Sequence, residues 1–133
     1  MIIPFEKITM KDVGLVGGKN ASLGEMIGQL AKTGIRVPGG FAITVDAYKE
    51  FMEHNTLYSL IQDALNRLNP RTLDNLGEVA ATCRALILNG RFSDSAKVKI
   101  LGAYKAMDSG GGATPVAVRS SANAEDSEAA SFA

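Results

Sequence analysis

The chain has 133 residues, 46% of them apolar and 21% charged, with Lys+Arg and Asp+Glu equal at 14 each. That length and composition suit one folded domain and exclude a disordered chain. A zero formal charge, 6% aromatic content and no Trp give no bulk basis for binding nucleic acid or an anionic membrane.

The single cysteine, Cys83, excludes an internal disulfide and fits a reducing cytoplasm. No apolar run approaches the ~20 residues a membrane helix needs. The first residues carry Pro4, Glu6 and Lys7 and do not read as a secretory signal. In chain order, Ile2 to Ile8 reads as a short strand. A glycine-rich turn, "DVGLVGGK", leads into a helix. Ser22 to Glu25 has the S-x-x-E capping-box pattern, and Asn20 is a competing cap. Leu23, Met26, Ile27, Leu30 and Ala31 form one apolar stripe at helical spacing, and Gly34 suits the stop.

Val37 to Gly40 reads as a turn and Phe41 to Thr44 as a strand. Thr44 or Asp46 can cap a helix running to about His54, with Val45, Tyr48, Phe51 and Met52 as its stripe. Helical patterns follow over Leu57 to Leu68, Leu73 to Leu88 and Asp94 to Met107, separated by Asn69-Pro70 and Asn89-Gly90. Ser109 to Gly112 is a joint, and Pro115 to Arg119 reads as a buried strand. The expected class is α+β, with short strands near both ends and several helices between. The tail, "SSANAEDSEAASFA", resembles the approach to another element, which suggests a piece of something longer.

Two segments carry candidate chemistry. Gly17 and Gly18 let backbone amides approach an anion, the helix start adds N–H groups and a positive dipole end, and Lys19 adds a full charge. The pattern is neither common phosphate loop. Val13 and Asn20 break G-x-x-x-x-G-K-[ST], and Val16 breaks G-x-G-x-x-G. A plain glycine turn with a solvated lysine explains it equally well. In the second segment, "VAVRSSANAED", Arg119 ends an apolar strand and Ser120 and Ser121 add hydroxyls. Arginine is suited to forked recognition of phosphate oxygens. An arginine paired with Glu125 or Asp126 is the competing explanation. His54 reads as a helix-end residue, and the chain has no Cys/His set for zinc.

Taken together, "VGGKNASLGEM", "VPGGFAIT" and "AVRSSANAEDSEAASFA" resemble the N-terminal nucleotide-binding region of the phosphoenolpyruvate synthase and pyruvate phosphate dikinase family, which includes the rifampin phosphotransferases and glucan water dikinases. The Lys-Asn-Ala-Ser-Leu form is most similar to the synthase (pyruvate, water dikinase) branch. Asn123 and "DSEAA" depart from the usual pattern. The resemblance implies that residues 1–133 are the N-terminal part of an ATP-grasp-like nucleotide-binding domain. It implies that Lys19 and Arg119 contact ATP phosphates, with Gly17, Gly18 and Ser120 as neighbours. It also implies Mg²⁺, held by ligands outside this chain, and further domains that carry a phosphorylated histidine and bind pyruvate. His54 lies in no matching motif. The implied parent converts ATP, pyruvate and water to AMP, phosphoenolpyruvate and phosphate, and the chain alone is expected to be inactive. The differing expectation is a non-catalytic subdomain that acts as a scaffold or association module.

Overall fold

The computed structural model describes residues 1–107 and 114–121. Its class is α+β: six helices and one two-stranded sheet among the described residues. The chain divides into two compact units, residues 1–47 with 95–133, and residues 48–94.

In the first unit, β1 (Ile2–Pro4) pairs antiparallel with β2 (Phe41–Ile43), placing Ile3 opposite Ala42. The expected strand from Ile2 to Ile8 is therefore only three residues long. Pro4 has no N–H for a ladder, and Phe5 to Lys7 turn as a single 3₁₀ turn after Phe5 N donates to Gly40 O at 3.0 Å. Ile8 then enters the core, 2% exposed. Thr9 and Asp12 cap the next 3₁₀ turn reciprocally: Thr9 N donates to Asp12 Oδ2 at 2.8 Å, and Lys11 N donates to Thr9 Oγ1 at 3.3 Å. This reciprocal pair satisfies helix-start donors.

One turn of helix follows, α1 (Val13–Val16), and then Gly17 breaks the chain before α2 (Gly18–Leu30). The helix begins four residues before Ser22, which lies inside α2 and is exposed. Gly17, with φ 81° and ψ 159°, is the cap. That backbone region is open essentially to glycine alone, so the conformation at residue 17 sets the start. After α2 a 3₁₀ turn ends at Gly34 in the left-handed conformation, as the sequence suggested.

The buried face of α2 differs from the expected stripe. Its buried residues are Ala21 and Gly24, whereas Met26 is 41% exposed. A Cβ on Gly24 would lie 2.4 Å from Ile8 O, so the helix approaches that backbone as closely as a missing side chain permits. Small residues win this face because close approach of the backbones leaves no room for leucine or methionine. The core here is Ile8, Val16, Ala21 and Ala42, with Ile3, Phe5, Val13 and Leu15 packed against it.

α3 (Val45–His54) starts after Thr44, whose N–H donates to Met1 O at 2.9 Å. The Thr44 hydroxyl is buried with no partner among the described residues, so it does not cap the helix. α6 (Asp94–Ala106) follows its expected range closely. Tyr104 Oη donates to Thr114 O at 2.8 Å and ties down the start of the next segment.

Residues 115–119 were expected to form a buried strand. They form no regular element and pair with neither β1 nor β2, and Val116 and Val118 are 47% and 92% exposed. An apolar strand is buried only if another element covers it, and neither strand of the sheet pairs with this stretch. The expected joint at 109–112 and the acidic pair Glu125 and Asp126 lie outside the described residues.

In the second unit, Thr56 adopts the left-handed conformation (φ 56°) and separates α3 from α4 (Leu57–Leu65). α4 stops three residues before Leu68 and closes with i→i+3 bonds from Arg67 and Leu68. Asn69 Oδ1 then accepts from Arg71 N and Thr72 N, a side-chain turn around Pro70. α5 (Leu76–Asn89) begins three residues later than its periodicity suggested, because the backbone at Leu73 is left-handed (φ 52°). Met52, Leu57, Ala64 and Val79 are buried. Asn55 clamps the chain after α5: its amide donates to Arg91 O at 2.9 Å and accepts from Arg91 N at 2.8 Å. The Phe51 and Phe92 rings pack at 5.0 Å beside it.

Candidate functional site

The two candidate segments meet, although about a hundred residues separate them in sequence. The meeting point is the Gly17 turn. Asn20, in the first turn of α2, donates from Nδ2 to Val16 O at 2.9 Å and to Ser121 Oγ at 2.7 Å. Ser121 Oγ also donates to the Val16 carbonyl. Val16 O thus accepts from both side chains at the point where α1 ends. Ser121 packs so tightly against Gly17 that a Cβ there would lie 2.5 Å from its Oγ.

The site therefore combines a glycine that only glycine conformations allow, a helix start, and a serine arriving from the far end of the sequence. Lys19 sits in the first turn of α2 and is half-buried. Gly18 is also in that turn and would tolerate a Cβ, with nothing within 4 Å. Arg119 is two residues from Ser121 and exposed, and Ser120 between them is exposed as well. His54 is exposed in the last turn of α3.

Sequence reasoning named Lys19, Arg119, Gly17, Gly18 and Ser120. It noted Asn20 as a cap and Ser121 as a hydroxyl, but not that these two side chains join the segments. By sequence Asn20 is a competing cap and a residue that breaks the G-x-x-x-x-G-K-[ST] pattern, yet inside the helix its amide turns back to the Val16 carbonyl. A polar side chain one position after the lysine was the available signal; its partner a hundred residues away was not visible in any local pattern.

Among the described residues, no group of three or more His, Cys, Asp and Glu could hold a metal ion, and no helix is long and apolar enough to cross a membrane.

The site is thus a glycine turn opening a helix, with a lysine in its first turn and the arginine segment docked beside it. Residues 13–133 match the family model described as pyruvate phosphate dikinase, AMP/ATP-binding domain, and the chain belongs to that family. It matches phosphoenolpyruvate synthases from several species, among them that of Neisseria meningitidis serogroup B at 48% identity over 99% of the chain. Those of Pseudomonas aeruginosa and Escherichia coli match at 42% over 99% and 37% over 100% of the chain. In each case the chain spans 17% of the relative's own length.

Proposed function

We propose that this chain supplies part of the ATP phosphate site of a phosphoenolpyruvate synthase, the enzyme class that converts ATP, pyruvate and water to AMP, phosphoenolpyruvate and phosphate. Lys19 and Arg119 hold and neutralise the phosphate chain. Gly17, Gly18 and Ser120 shape the backbone around it. Residues 1–133 form the N-terminal part of an ATP-grasp-like domain, and the other domains of the enzyme supply the phosphate acceptor site. The supporting observation is the contact of Ser121 with Gly17 and Asn20, which brings the arginine segment to the turn that carries the lysine.

The donor set suits a polyphosphate. Backbone N–H groups at a helix start favour anions, lysine contributes a point charge, and arginine contributes a planar fork. ATP carries Mg²⁺ as its usual counter-ion, and that ion would neutralise phosphate charge. Its protein ligands are expected outside the described residues. Phosphoryl transfer depends mainly on positioning and charge stabilisation, which is the contribution two fixed cations make. A cytoplasmic setting, where ATP is abundant, is part of the same reading.

The test is an NMR titration of the labelled chain with MgATP, beside Lys19→Ala and Arg119→Ala. Saturable shifts clustered at Gly17–Ser22 and Arg119–Ser121, weakened about ten- to a hundred-fold in each variant, are expected from the ~1.5–3 kcal/mol of a charged hydrogen bond. A folded chain whose amides do not move would overturn the reading and favour a scaffold role.

A further inference from the structure

We propose that Asn20 is a positioning residue: it docks the Arg119–Ser121 segment onto the Gly17 turn, so that Arg119 and Lys19 address one anion. This rests on the phosphate reading above.

Three observations carry it. First, Asn20 follows Lys19 directly, and its side chain is half-buried rather than solvated. Second, its amide nitrogen carries two N–H donors, and they reach Val16 O and Ser121 Oγ, one on each segment. One side chain therefore spans both. Third, the segment that it holds is otherwise exposed from Pro115 to Ser120, with Thr114 tied by Tyr104 at the other end. Arg119 lies two residues before Ser121, a chain reach of at most about 7 Å, so the bond at Ser121 limits where Arg119 can sit. Gly17 completes the seat, because any side chain there would collide with Ser121.

A purely structural Asn20 would only hold the start of α2 through Val16. The two roles separate in a double-mutant cycle with Arg119. Asn20→Ala, Arg119→Ala and the double variant are titrated with MgATP, and the contact between Gly17 Hα and Ser121 Hβ is followed by NOE in the free chain. The NOE is expected in the wild type and lost in Asn20→Ala. Asn20→Ala should weaken MgATP binding about tenfold when Arg119 is present and less than twofold when residue 119 is Ala. In a Lys19→Ala background its effect should persist.

Equal weakening in both Arg119 backgrounds would overturn the proposal, because Asn20 would then act on α2 alone. So would an NOE that survives in Asn20→Ala. If Asn20→Ala fails to fold, Ser121→Ala removes the same bond from its other end, together with the bond from Ser121 to Val16 O, and takes its place in the cycle. A wild-type chain that shows the NOE but binds no MgATP would sink the phosphate reading and leave the docking contact standing.

Discussion

Ser121 occupies the space that a side chain on Gly17 would need: a Cβ at residue 17 would lie 2.5 Å from Ser121 Oγ and 2.9 Å from its carbonyl oxygen. Gly17 is thus fixed twice, by its own backbone angles and by a residue a hundred positions away. Its neighbour Gly18 is fixed by neither.

Gly17→Ala should therefore destabilise the chain by about 1–3 kcal/mol through backbone strain, and should displace Ser121. Gly18→Ala should be neutral or stabilising by up to about 1 kcal/mol, since alanine suits a helix and has room. Urea unfolding of the pair checks this. Equal effects would mean that the turn is not as described.

Gly24 makes the same contrast inside α2. Its Cβ would meet the Ile8 backbone at 2.4 Å, whereas Gly28 has nothing within 4 Å. Gly24→Ala should cost about 1–3 kcal/mol by overpacking. Gly28→Ala should stabilise by about 0.5–1 kcal/mol through helix propensity. Thermal melts of the two variants should move in opposite directions.

Thr44 is 1% exposed, and its hydroxyl has no partner among the described residues. Thr44→Val keeps the shape and removes the unpaired polar group, so it should stabilise by about 1–2 kcal/mol. Loss of stability in a denaturant titration would show that the hydroxyl is satisfied in solution.

Arg119→Lys keeps the charge but loses the fork. On the proposed phosphate role it should bind MgATP more weakly than the wild type and more tightly than Arg119→Ala. Calorimetric titration gives the order. A lysine variant equal to wild type would reduce the role of Arg119 to charge alone.

The chain spans 17% of the length of the three synthases named above. On the proposed reading it carries part of one substrate site and no acceptor site. Incubated alone with ATP and pyruvate, it should form no phosphoenolpyruvate. Product detected by a coupled assay would refute that.

Much of this protein was legible in the sequence because the signals are local. Periodicity located α3, α4, α5 and α6 to within about three residues, and Gly34 and Asn69-Pro70 marked ends through turn chemistry. Lys19 and Arg119 were legible as cations beside glycines and a strand end, and three ordered blocks were legible as a family. Tertiary structure decided the rest. The capping pattern at Ser22 lost to the backbone at Gly17, which starts α2 earlier. The leucine and methionine stripe lost to Ala21 and Gly24, because burial goes to whatever fits against Ile8. Pro115 to Arg119 reads as a strand by composition, yet it has no strand beside it among the described residues. Above all, the bond from Asn20 to Ser121 has no local signature. A hydrogen bond across a hundred residues depends on where the chain returns, and packing determines that return.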